Sequence, residues 1–229
     1  MNIKVRYAYN LMATLCYKHK KNTIKKYTTK KSKNIEKNND SDEEEDTNKN
    51  QKIQQNNNHI FFHAEVDRGN IFELITCIQN AQEFCLLQQH RLCIDMVPIY
   101  LHINSFGGSV FDAMTAIDVI LASKIPIYTI IEGATASAGT LISVVGNKRF
   151  ICPSAYMLIH QLSSEFWGKM SEIEDDYQNL QALMQRIKNI YKHHTNVPKK
   201  QMNEILKHDL WWNSDKCIEF GLADELWEK

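Results

Sequence analysis

Three side chains far apart in this chain have types and an order that could carry acyl-transfer chemistry: Ser137, His160 and Asp209. A serine hydroxyl is a poor nucleophile until a base takes its proton and donors receive the oxyanion. Ser137 lies within GATASAG, where Ala136, Ala138 and Gly139 leave the backbone open to a substrate carbonyl. His160 ends the aliphatic run Met157, Leu158, Ile159, which reads as a buried strand able to support a general base. Asp209, in KHDLWW, is a candidate to orient the imidazole, and together the three suggest a serine hydrolase. Each has a plainer reading: a helix N-terminal serine, a core histidine, and an aspartate paired with Lys207 or His208. The order raises the catalytic reading, but a triad is defined by geometry.

The elements that must position these groups alternate. Residues 60–66 (IFFHAEV), 97–104 (VPIYLHIN) and 126–132 (PIYTIIE) read as strands. Helical spacing follows the first through Leu74, Ile75, Ile78 and Ala81, and the second through Val110, Met114, Ile117 and Leu121. Residues 136–145 read as a short apolar helix, and KRFICP and YMLIHQ as further strands. A long amphipathic helix is predicted over 171–194, with Ile173, Tyr177, Leu180, Met184, Ile187 and Tyr191 on one stripe. Short helices are expected near 202–206 and 215–220. Strand–helix alternation implies an α/β fold with a mostly parallel sheet covered by helices. Ligands in such sheets sit at the carboxyl ends of strands, where the turns SFGG and EGATASAG both fall. Gly107–Gly108 could aim backbone N–H groups at an oxyanion or simply make a tight turn that needs positive φ.

Composition narrows the function classes. The 229 residues carry no net charge, yet residues 1–59 hold 13 Lys/Arg against 7 Asp/Glu. The remainder is therefore net acidic, which argues against nucleic acid as the main ligand. Residues 1–58 are read as a disordered low-complexity extension, basic then acidic, and residues 59–229 as one folded domain. The first 35 residues lack acids and faintly resemble an organelle transit peptide, but Arg6 is their only arginine. The expected location is the cytoplasm, with a mitochondrion or plastid as the alternative. Six cysteines without a CxxC pair read as single buried or half-buried thiols. No apolar run of ~18 residues supports a transmembrane helix. His193 and His194 are neighbours that share no helix face, and no metal or other cofactor is expected. Phosphate-binding glycine loops are absent.

Five segments, IFFHAEVD, YLHINSFGGSV, GATASAGTLIS, KRFICPSAYMLIHQ and HDLWWNSDKCIEFGLADEL, resemble the Clp protease proteolytic subunit family in order and spacing. The resemblance covers roughly residues 60–228. It implies the crotonase-like Clp-protease fold with a protruding long helix, the nucleophile at Ser137, the base at His160 and the aspartate at Asp209. It also implies oxyanion donors at the backbone N–H groups of Gly108 and Ala138. The family hydrolyses unfolded polypeptides inside two stacked seven-membered rings, fed by an ATPase unfoldase. Those are the partners the resemblance implies, without membrane or nucleic acid.

Three residues depart from the family pattern. Phe106 and Leu162 replace prolines that flank the glycine pair and the His-Gln pair, which is expected to loosen the backbone there. His208 stands where an arginine usually helps register the rings. Two other readings compete: a non-catalytic subunit shaping a mixed ring, and an acyl-CoA-processing enzyme of crotonase architecture that needs no serine nucleophile.

Overall fold

β-Branched apolar runs build the sheet, and the helices between them cover it. The computed structural model describes residues 53–165 and 167–228. The targeting reading and nearly all of the predicted extension fall outside the described residues, which belong to one compact unit, Asn50–Lys229. In chain order the elements are β1 (Ile53–Asn56), β2 (His59–Phe62), α1 (Arg68–Leu92), β3 (Ile99–Ser105), α2 (Val110–Ala122), β4 (Ile127–Ala136) and α3 (Ala138–Ser143). They continue with β5 (Lys148–Ile151), β6 (Tyr156–Leu158), α4 (Met170–His194), α5 (Lys199–Ile205), β7 (Trp212–Asn213), α6 (Ser214–Glu219) and β8 (Glu225–Leu226).

The eight strands run β1-β2-β3-β4-β5-β8, with β6 paired to β4 off this path and β7 paired to β6. All pairs are parallel except the hairpin β1–β2 and the pair β6–β7. Residues 53–58, which the composition assigned to the extension, thus form a strand and a turn on the edge of the sheet. Ile53 is buried, and Asn57, at φ 57°, makes the turn that lets β1 pair with β2. Asparagine adopts this left-handed conformation more readily than most residues, so a polar, asparagine-rich stretch still yields a hairpin.

β4 is the strand on which the site depends. On one edge it pairs with β3 as far as Thr135; on the other its first part pairs with β5 and its last three residues with β6. The β3–β4 register shifts between Ile103 and Ser105, and Gly133 (φ 64°) lies in the shifted stretch of β4. That bulge carries the end of β4 away from β5 and makes room for β6.

Two helices differ from the stripes predicted for them. The buried face of α2 is Ala113, Ala116, Ile117 and Ile120, and Leu121 is exposed. The alanines allow close approach to the layer beneath, so the core face rotates away from the larger residues. In α4 the stripe is buried only at Ile187 and Tyr191, with Ile190 buried beside them, while Ile173 and Tyr177 are exposed. The N-terminal half of this 25-residue helix therefore protrudes. Arg149 anchors its C-terminal end. The guanidinium donates to the His194 and Gly221 carbonyls and forms a two-pronged contact with Asp224. Among the described cysteines Cys85 and Cys217 are buried, but Cys93 is exposed at the C-terminal cap of α1. No described helix is long and apolar enough to cross a membrane.

Candidate functional site

Ser137 immediately follows β4 and precedes α3, with φ 54° and ψ −126°. A non-glycine residue in such a region costs on the order of 1–3 kcal/mol and persists only where its surroundings over-determine it. Here they do. The Ser137 N–H donates to the Leu158 carbonyl at 3.0 Å. Its own carbonyl accepts from the Thr140 N–H at 3.0 Å and from the Thr140 hydroxyl at 2.6 Å. Because Thr140 spends its proton on Ser137, the Tyr191 hydroxyl must donate to Thr140 Oγ1, 2.7 Å away. Burial pushes the Tyr191 phenol well above its ordinary pKa, so it stays a neutral donor. The α4 helix is thereby hydrogen-bonded to the serine turn.

The glycine turn after β3 closes on the same point. A Cβ on Gly107 (φ 93°) would lie 2.7 Å from Ser137 Cβ and 2.8 Å from the Ala136 carbonyl oxygen. Only a residue without a side chain permits that approach. Gly108 forms a parallel bridge with Val66: Val66 N–H donates to the Gly107 carbonyl, and Ser109 N–H donates to the Val66 carbonyl. In such a bridge the N–H of the middle residue points to the opposite side, so the Gly108 N–H faces away from Val66.

His160 lies two residues beyond β6, not within a strand as its aliphatic run predicted, because β6 ends at Leu158. It is nevertheless close to the serine turn in the chain path, since Leu158 both pairs with Ala136 and accepts the Ser137 N–H. Its Nδ1 is 3.0 Å from Asp209 Oδ1. An ionised carboxylate only accepts, so Nδ1 carries the proton and Nε2 presents its lone pair. The imidazole is largely buried, whereas the Asp209 side chain is 75% exposed. Lys207 and His208, the alternative partners for Asp209, both turn back to Glu204 instead. Leu162 packs against the core, so the missing proline there is replaced by apolar burial.

Backbone contacts thus join Ser137, Ala138, Gly107 and the strand leading to His160, and a side-chain contact joins His160 to Asp209. Leu158, Thr140 and Tyr191 were not legible as parts of this arrangement. A threonine three residues after a serine at a helix start was the available signal for Thr140. None of the candidate residues lines the groove of about 610 Å³ between Phe111 and the Asp176–Arg186 side of α4. Among the described residues no group of His, Cys, Asp and Glu side chains could hold a metal ion.

The fold is thus of the α/β class, a mostly parallel sheet with Ser137 at the carboxyl end of β4 and the His160–Asp209 contact just beyond β6. The more particular assignment follows from the family comparison: the family model described as Clp protease matches residues 51–229, and the chain belongs to that family. Membership implies peptidase activity, of the serine type in general.

Proposed function

We propose that this chain is a serine endopeptidase that cleaves unfolded polypeptides within a ring-shaped chamber, with an ATPase unfoldase as partner. The observation that carries the reading is the 3.0 Å His160–Asp209 contact beside the strained Ser137 turn. In this mechanism His160 Nε2 takes the Ser137 proton as the hydroxyl oxygen attacks the peptide carbonyl. The carbonyl oxygen becomes an anion, received by the N–H groups of Gly108 and Ala138. His160 then gives its proton to the leaving amine, and water, deprotonated by the same ring, releases the acyl group. Two features support the donor roles: the Gly108 N–H is turned away from Val66, and Ala138 opens α3, where a helix N–H has no intrahelical partner.

Support for assembly comes from the protruding half of α4. Trp167 and Met170 are exposed just before and at its start, and Ile173 and Tyr177 continue the apolar surface. Phe166, read with them from the sequence, lies outside the described residues. Such a surface is suited to a second copy of the chain.

The test compares a small fluorogenic peptide with casein, using wild type and Ser137→Ala without any ATPase. Wild type is expected to cleave the peptide, with turnover at least about a thousandfold lower in the variant, and to leave casein intact. Equal peptide turnover in both proteins contradicts the reading.

A further inference from the structure

Asp209 occupies the least supported stretch of the site. The Leu206 carbonyl accepts from the Gln161 N–H at 2.7 Å, and Trp212 pairs with Met157 in β7. Between these anchors residues 207–211 are irregular and all exposed. Lys207 and His208 hold on to α5 through Glu204, not to the site. The carboxylate meets His160 largely in solvent, where such a contact is weak and cannot order a loop alone.

A second contact reaches across. The Trp211 ring meets the Phe106 ring edge to face, with centroids 6.1 Å apart and planes at 84°. This is a favoured aromatic geometry. Phe106 directly precedes Gly107, the residue pressed against Ser137 Cβ. Core packing does not account for either ring, since Phe106 is 73% and Trp211 43% exposed. The contact therefore links the segment carrying the carboxylate to the turn that touches the serine.

We infer that Phe106 and Trp211 are positioning residues, a ring clasp that keeps the Asp209 segment aligned on His160. The inference rests on the proposed role of Asp209 in orienting the imidazole. A clasp acting through Asp209 changes the fraction of molecules with an aligned base, so it acts on kcat and not on KM.

The test uses the full chain and a small fluorogenic peptide. Phe106→Ala and Trp211→Ala should each lower kcat by about three- to tenfold, the size expected of one aromatic pair. KM should stay within about twofold of wild type. The double variant should be no worse than either single one. Phe106→Tyr and Trp211→Phe, which keep a ring edge, should recover most of the loss. In an Asp209→Asn background Phe106→Ala should cost nothing further, an outcome a merely structural role does not give. Should Phe106→Ala lower the melting temperature, Phe106→Leu keeps the volume without the ring and carries the same expectation.

Unchanged kcat in both alanine variants overturns the inference. So does a raised KM at constant kcat, which marks a direct substrate contact, or an undiminished loss in the Asp209→Asn background. Ser137→Ala separates the two levels. Full turnover in that variant removes the triad and the clasp together, whereas lost turnover there with wild-type rates in Phe106→Ala and Trp211→Ala removes only the clasp.

Discussion

At Ser137 the chain is held by its own backbone: the N–H is bonded to β6, the carbonyl to Thr140, and a glycine presses on the side chain from β3. At Asp209 the chain is exposed and irregular, and side chains alone connect it to the rest of the site. In the proposed mechanism the two regions serve one imidazole under different tolerances. A nucleophile on a strained turn must be fixed in place, because small displacements of a reacting atom are costly. A group that orients the imidazole through a hydrogen bond can be displaced and return. Substitutions near Ser137 should therefore act nearly all or none, and those near Asp209 by degrees.

The widest separation is expected between His160→Ala and Asp209→Asn. The first should lower kcat on a fluorogenic peptide by about 10⁴-fold or more, and the second by about 10²-fold, because the acid of a triad contributes less than its base and this one is solvated. Equal losses would erase the contrast between the two regions. Next comes Gly107→Ala, whose methyl would meet Ser137 Cβ and the Ala136 carbonyl. It should destabilise the fold by about 2–4 kcal/mol and remove turnover, read by denaturant melts and by peptide assay. On the other region, His208→Ala breaks only the exposed contact to Glu204 and should leave the melting temperature unchanged.

A smaller effect sharpens the picture of the serine turn. Thr140→Val leaves the buried Tyr191 hydroxyl unpaired and should cost about 1–3 kcal/mol, while Tyr191→Phe should cost about 1 kcal/mol. The pair of denaturant curves checks both. The mildest is a pH effect outside the site. Burial lowers the pKa of His59, with His102 adding to it, and of His194, with Arg149 and His193 adding to it. The unfolded chain then binds more protons below the ordinary value of 6.5, so their contribution is complete above that pH. It is lost as pH falls below 6.5 through the lowered folded values. Melting temperature should decline over that window, and His194→Asn should flatten the decline.

The difference between the regions also governs what could be read from residues alone. The strands, the glycine turn and the small-residue setting of Ser137 follow from local pattern, since each needs only its own neighbours. The proline replacements at Phe106 and Leu162 pointed to loosened backbone, but their side chains find partners, Trp211 for one and the core for the other. Neither partner is adjacent in sequence, so neither contact had a local signal. The end of β6 before His160 was hidden for a related reason. The aliphatic character continues through Ile159, which is buried without being paired in the sheet. The hairpin at Ile53 escaped notice because its stability comes from pairing with β2, not from its own apolar content.

The central claim, an activated serine at residue 137, is tested most directly by labelling the full-length protein with a fluorophosphonate probe and locating the adduct by mass spectrometry. The account predicts one adduct, on Ser137, formed by wild type and nearly abolished in His160→Ala. Labelling that proceeds equally without the imidazole, or that falls on another serine, would contradict it.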